Sequence, residues 1–487
     1  MGMVMVNMAD LIADSRVRFG TSGARGLVAD MSDEVCGAYA LAFLQAIAPV
    51  SSARVALAID LRPSSPRIAE ACAAAIRQSG MAVEYCGAIP TPALAYFARQ
   101  EGIPAVMVTG SHIPFDRNGI KFYRATGEIS KADEAAITSA VIELPKPIPR
   151  AALPIVNPAA RRLYVERYSQ FFPPDMLRGM RLGFYEHSSV ARDVLHEILA
   201  ALGAEVISLG RSDDFVPIDT EAVSQADSRQ ARLWAQEYAF DAIVSTDGDA
   251  DRPLIGDENG VWFRGDVVGI LCAQYLDADV VVTPVSSNTA LEKCGSFASV
   301  RRTRIGSPFV IAGMEQAMQD ARRSVVGFEA NGGFLVGSRI VKHERVLEAL
   351  PTRDAVLPVL ALLTLAKERG CKLSELISGL PQRFTASDRL QDFPVGASGA
   401  LLRQLATAEA AISDLLGSVC TGPVDLDETD GLRMTFANGE IVHFRPSGNA
   451  PELRCYAEAD SPERAELLVD FCLRQVQARQ SHASTQQ

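Results

Sequence analysis

Val106-Met-Val-Thr-Gly-Ser-His-Ile-Pro-Phe-Asp-Arg-Asn-Gly-Ile-Lys-Phe122 reads as a strand, a break, a polar turn and a returning strand. The apolar, β-branched run Ala105 to Val108 has the composition of a buried strand, and it stops at Gly110. Ser111 therefore falls just past a strand end, where open α/β sheets gather their ligands. Its hydroxyl is expected in the open, with His112 beside it. The turn Pro114 to Gly119 leads into a second short apolar run carrying Lys121. A hairpin here would aim that ammonium back at Ser111, a setting that suits a seryl phosphate.

Outward from this stretch, strand and helix signals alternate. Val55 to Ile59 and Ala82 to Tyr85 read as strands; Pro66 to Gln78 and Pro92 to Gln100 read as helices. That is βαβ patterning with a mainly parallel sheet. Pro145 to Pro158 holds several prolines and reads as a linker, after which the pattern restarts at Leu182 to Tyr185 and again after Gly260. The last hundred residues differ. Helical stretches Ala400 to Leu416 and Pro462 to Val476 flank a strand-rich middle with the hairpin signal Asn438-Gly439. The fold class expected is α/β: three related mixed or parallel-sheet α/β domains (1–150, 151–256, 257–375) and a C-terminal α+β domain (376–487).

Composition agrees with a chain that folds throughout. At 487 residues it is too long for one core, and 48% hydrophobic with 22% charged residues is the balance of a soluble globular protein. A net charge of −12 argues against nucleic acid or an anionic membrane as partner. The nine cysteines are scattered and never spaced Cys-x-x-Cys, so neither a disulfide framework nor a zinc site follows. Met1 to Met8 lacks the basic region of a leader and no apolar run is long enough to span a bilayer, so the expected location is cytoplasmic. Ser481 to Gln487 is polar and is expected to fray.

Three further loops carry chemistry. Ser245-Thr-Asp-Gly-Asp-Ala-Asp-Arg252 sets Asp247, Asp249 and Asp251 at alternate positions after a strand, an all-oxygen set for a hard cation such as Mg²⁺. The spacing to Glu258 imitates an EF-hand, but Arg252 stands where that loop requires glycine, and a strand rather than a helix precedes it. Gly327-Phe-Glu-Ala-Asn-Gly-Gly-Phe334 offers Glu329 and Asn331, which face the same way if extended and can pair with neighbouring sugar hydroxyls. Arg445-Pro-Ser-Gly-Asn-Ala-Pro-Glu-Leu-Arg454 has the composition of a phosphate cradle. Gly20-Thr-Ser-Gly-Ala-Arg25-Gly26 and Asp60-Leu-Arg62-Pro-Ser-Ser-Pro66 repeat that theme, and Arg25 is placed to neutralise a phosphoryl group. His187, His196, His343 and His443 lie in no ligand-spaced cluster.

In this order and spacing the loops resemble those of the α-D-phosphohexomutase family, and the likeness covers nearly the whole chain. The resemblance implies four domains around a central cleft and transfer of phosphate between the C1 and C6 oxygens of a hexose. It implies that Ser111 carries the phosphoryl group and, with Asp247, Asp249 and Asp251, binds Mg²⁺. Lys121, His112 and Arg25 then serve the chemistry, Arg252, Glu329 and Asn331 the sugar, and Arg445, Ser447, Gly448 and Asn449 the non-reacting phosphate. Hexose 1,6-bisphosphate is the implied intermediate and activator, and the protein is a monomer or homodimer. Four positions depart from the family pattern: Ile113 for Asn, Asn331 for Ser, Gly333 for His, and Asn449-Ala450 for Thr-Glu. The Gly333 change removes a proposed proton-transfer group. The variant Glu-Ala-Asn-Gly-Gly loop looks more like that of bacterial phosphomannomutase-type members than that of glucosamine or acetylglucosamine mutases. Two other readings compete: a phosphatase using Asp247 as nucleophile, which leaves Ser111 and Arg445 idle, and a non-catalytic sugar-phosphate binder.

Overall fold

The computed structural model describes residues 2–20, 23–47, 53–146, 148, 152–320, 323–420, 422–446 and 451–485. They fall into two compact units, Met1–Val282 with Gly306–Ile377, and Thr283–Ile305 with Ser378–Gln487. Among the described residues no helix is long and apolar enough to cross a membrane.

The first sheet of the first unit is mixed, not mainly parallel. Its order is Arg18–Phe19, Ala24–Leu27, Arg117–Arg124, Ala105–Val108, Arg54–Ile59, Ala82–Ala88. The last three strands run parallel. Arg117–Arg124 turns back as a hairpin partner and lies antiparallel to both of its neighbours. That register sets Lys121 opposite Met107 and Arg25 opposite Gly119, so two cations reach the strand end where Ser111 begins. Helices Asp33–Ala46 and Ser65–Gln78 bury one face of this sheet. The first starts at Ser32, whose hydroxyl accepts from the Val35 amide at 3.3 Å, satisfying a helix-end donor. Its Phe43 ring packs 4.9 Å from that of Phe122, on the strand that carries Lys121.

The second sheet runs Glu205–Leu209, Arg181–Tyr185, Ala242–Thr246, Pro253–Gly256, parallel until the last strand. In the third, residues 280–282 pair in parallel with Val325–Phe328, and Phe334–Val336 and Leu350–Asp354 follow antiparallel. The second unit is built on an antiparallel sheet ordered Phe384–Leu390, Leu453–Ala459, Ile441–Pro446, Leu432–Phe436, Pro423–Asp427. Its Asn-Gly hairpin is present, with Gly439 at φ 80°, a left-handed geometry that glycine adopts freely.

Three sequence expectations change. The linker read from Pro145 begins too early, because Val141–Lys146 is a strand pairing along its whole length with Gly2–Asn7. Pro145 is tolerated there because, among the described residues, the sheet has two strands and each has an open edge. Residues 152–157 form no helix or strand. The stretch 400–416 is two helices, Val395–Thr407 and Glu409–Leu416, broken where Ala408 is extended. The last helix, Pro462–Thr485, continues past Val476 into the polar tail expected to fray.

Candidate active site

Ser111 is held by its backbone. It sits at φ 55°, a left-handed conformation costing a non-glycine residue about 1–2 kcal/mol. Its amide donates to Thr109 Oγ1 at 2.8 Å and its carbonyl accepts from Arg62 Nη2 at 2.9 Å. Arg62 also donates from Nη1 to the carbonyls of Pro114 (2.7 Å) and Arg117 (3.0 Å), and from Nη2 to that of Ile113. Its Nε pairs with Asp60, itself fully buried. Burial pushes the Asp60 carboxyl up and the Arg62 guanidinium down, and their mutual attraction opposes both shifts. The guanidinium lies flat against Gly110, where a Cβ would fall 2.6 Å from Arg62 Cζ, and over the ring of Phe215 at 3.9 Å. Arg62 thus departs from the phosphate-cradle theme read in its loop: it spends its donors on the chain around Ser111.

The Ser111 hydroxyl is buried rather than in the open. The acidic loop closes over it, and Oγ donates to Asp247 Oδ2 at 2.6 Å while standing 3.4 Å from His112 Nδ1. Asp247, Asp249 and Asp251 are all buried, with one carboxylate oxygen of each lying within 4.8 Å of the others. Lys121 Nζ meets Asp249 Oδ2 at 2.6 Å and Asp251 Oδ2 at 2.7 Å, so this ammonium points into the carboxylates, not at Ser111. Among the described residues, the Oδ1 atoms of Asp249 and Asp251 have no hydrogen-bond partner. Hard oxygen donors, two of them buried and unsatisfied, fit a divalent cation such as Mg²⁺. Burial and the two neighbouring carboxylates push the Asp247 carboxyl well above its ordinary range. Burial would raise Asp251 as well, but Arg353, Lys121 and Arg252 together hold it well below. The loop is braced by the Thr91 amide, which donates to the Asp249 carbonyl at 2.9 Å, and by buried His187, whose Nε2 lies 2.9 Å from the Thr246 carbonyl.

A ring of cations surrounds this centre. Burial lowers the Arg25 guanidinium to about 10, helped by Arg252 and Arg353. Arg252, burial and Arg25 keep His112 strongly toward its neutral form. The Arg252 amide donates to Asp247 Oδ1 at 3.2 Å, and its Nε lies 3.6 Å from Asp251 Oδ1. Glu329 and Asn331 do not stand extended side by side. The Gly332 amide donates to the Glu329 carbonyl, making a tight turn, and Asn331 Oδ1 accepts from the Gly333 amide at 3.0 Å. Glu329 Oε2 accepts from Arg353 Nη1 at 3.1 Å. Arg353 was not among the residues singled out in the sequence. Its signal is an isolated charged pair, Arg353-Asp354, set directly before a helix whose residues from Val356 to Ala366 are all buried.

In the second unit, Arg445 Nε donates to Asp430 Oδ2 at 2.9 Å, and buried His443 binds the Asp430 carbonyl through Nε2 at 2.6 Å. Ser447, Gly448 and Asn449, expected to complete a phosphate cradle with Arg445, lie outside the described residues, as do Thr21 and Ser22 of the first glycine loop.

Models of the phosphoglucomutase/phosphomannomutase family match the chain in four pieces: α/β/α domain I over residues 16–146, domain II over 162–260, domain III over 264–384 and the C-terminal domain over 397–475. A phosphomannomutase of Salmonella muenchen is 48% identical across 98% of this chain and 99% of its own length. One from Sinorhizobium fredii is 46% identical across 93% and 97%. The crystal structure of a phosphoglucomutase/phosphomannomutase family protein from Burkholderia thailandensis shares the fold at a TM-score of 0.73, with 20% identity over 94% of this chain and 96% of that one. With near-complete coverage by relatives at almost half identity, the chain belongs to the phosphoglucomutase/phosphomannomutase family, isomerases that act on hexose phosphates.

Proposed function

We propose that the chain interconverts mannose 1-phosphate and mannose 6-phosphate through a phosphoserine at Ser111 and a hexose 1,6-bisphosphate intermediate, as a cytoplasmic enzyme of four domains. The observation that carries this reading is the Ser111 hydroxyl, donating to Asp247 at 2.6 Å at the centre of a cluster of aspartates and cations. A sugar hydroxyl oxygen attacks the phosphorus on Ser111, a P–O bond forms to the sugar and the bond to Oγ breaks. The bisphosphate turns around, Oγ attacks the phosphorus of its other phosphate, and the bond from that phosphorus to the sugar oxygen breaks, leaving a sugar hydroxyl. Arg25 offsets charge on the moving group. His112, the ring nearest to Oγ, handles the proton that leaves or returns. When bound by Asp247, Asp249, Asp251 and the Ser111 oxygen, Mg²⁺ supplies Lewis-acid stabilisation of the phosphoryl oxygens. Catalysis is then positioning and electrostatics, the general mode of phosphoryl transfer. Arg445 contributes a phosphate-binding guanidinium.

A coupled assay on mannose 1-phosphate, glucose 1-phosphate and glucosamine 1-phosphate tests the substrate. Mannose 1-phosphate should be turned over with the highest kcat/KM, and activity should vanish in chelator and return with Mg²⁺. Turnover undiminished by chelation would sink the metal role, and preference for glucosamine 1-phosphate would sink the substrate.

Glu329 gives a separate expectation. If it reads hydroxyls of the sugar in either orientation, Glu329→Gln should slow the forward and reverse reactions alike, by roughly tenfold to a hundredfold, the worth of one hydrogen bond to a charged group. Slowing of one direction only, in progress curves started from each phosphate, would mean that the loop reads something else.

A further inference from the structure

Gly333 stands where the family pattern has histidine, and the space its side chain would take is occupied. A Cβ there would fall 2.7 Å from Cδ and 2.8 Å from Cγ of Arg353, closer than such atoms can approach. The Gly333 backbone is not left-handed, so conformation is no bar to a side chain; the neighbour is. Arg353 is buried, with Nη2 2.8 Å from Asp251 Oδ2 and Nη1 donating to Glu329 Oε2. One guanidinium thus joins a carboxylate of the aspartate cluster to the carboxylate of the sugar loop. The strand beneath it is pinned at the next residue: Asp354 accepts from the hydroxyls of Tyr164, at 2.7 Å, and Tyr168, and from the Val356 amide at 2.9 Å.

We propose that Arg353 is a positioning residue that holds Glu329 toward the sugar and weakens the grip of the aspartate cluster on its cation, and that residue 333 is glycine to admit the Arg353 stem. This rests on the reading of Asp247, Asp249 and Asp251 as the metal site. A fixed positive charge in contact with Asp251 repels a divalent ion on the same carboxylate. Removing it should tighten binding even as it releases Glu329.

Calorimetric titration of the full chain with Mn²⁺ tests the first half. Arg353→Met, which keeps most of the stem, should bind roughly threefold to tenfold more tightly than the unaltered protein. Arg353→Lys, which keeps the charge, should bind as the unaltered protein does. A mutant cycle tests the second half: Gly333→Ala should lower kcat/KM about tenfold or more in the unaltered background, yet be nearly neutral beside Arg353→Ala, where the stem is gone. Equal Mn²⁺ affinity in Arg353→Met and the unaltered protein, or the same cost of Gly333→Ala in both backgrounds, would overturn the proposal while leaving the metal site standing. If Arg353→Ala does not fold, the calorimetry on Arg353→Met decides. No Mn²⁺ uptake by the unaltered protein would overturn the metal reading, and this inference with it.

Discussion

Ser111→Ala is expected to lose more than about a thousandfold of mutase turnover, the scale seen when a covalent nucleophile is removed. Intact mass should show a phosphorylated species in the unaltered protein and none in the variant. The fold should survive because the side chain does not hold the loop. The position of Ser111 is set by its amide on Thr109 and its carbonyl on Arg62, both backbone bonds that alanine keeps. What disappears is the bond to Asp247 and the neighbour of His112. Circular dichroism and thermal unfolding should therefore match the unaltered protein, separating loss of chemistry from loss of structure. Near-normal turnover, or phosphate found on another residue, would remove Ser111 from its role.

Arg62→Ala is expected to cost stability as well as activity. It removes the guanidinium bonds to the carbonyls of Ser111, Ile113, Pro114 and Arg117 and leaves Asp60 buried without its counter-charge. Breaking one side of a buried ion pair costs about 3–5 kcal/mol. The denaturant midpoint of the first unit should fall accordingly. Asp60→Asn in the same chain should recover part of the loss, since it removes the uncompensated charge while leaving an oxygen to accept from Ser65 Oγ. Turnover should remain low in the double variant, because the loop then lacks the guanidinium that ties its carbonyls together. An Arg62→Ala chain as stable as the original would mean that the guanidinium is incidental to the loop.

The local signals that proved readable are those that one stretch of chain carries by itself. Ala105–Val108 is a buried strand where its apolar run lies, and the aspartates after Ala242–Thr246 converge because one short loop turns back on itself, the Asp247 amide donating to the Arg252 carbonyl and the Asp251 amide to Asp247 Oδ1. The three acidic side chains were therefore legible as a group. What the sequence left hidden depends on residues far apart in the chain. The burial of Ser111 comes from a loop more than a hundred residues on, so the strand end that exposes a serine in isolation does not expose it here. Lys121 was placed on the right hairpin, yet the pull of Asp249 and Asp251 decides where its ammonium goes. Arg353 escaped notice because its partners, Asp251 and Glu329, belong to two other loops. The loop of Arg62 reads as a further phosphate cradle because the work of its guanidinium is done on backbone carbonyls, which carry no sequence signature. The strand Gly2–Asn7 is a similar case: its partner lies at the far end of the domain.

That terminal pairing bears on how the protein is made. Residues 2–7 leave the ribosome well before their partners, residues 141–146, which emerge only after the whole first sheet has been synthesised. The opening strand therefore has to wait as an unpaired apolar ribbon, with Met3, Val4 and Met5 still substantially exposed even after docking. Once joined, the two ends lie side by side, so the segment from Gly2 to Lys146 is fastened like a belt whose tongue and buckle meet on one edge. Its beginning and end could be spliced there and new ends opened in a surface turn, as circular permutation requires.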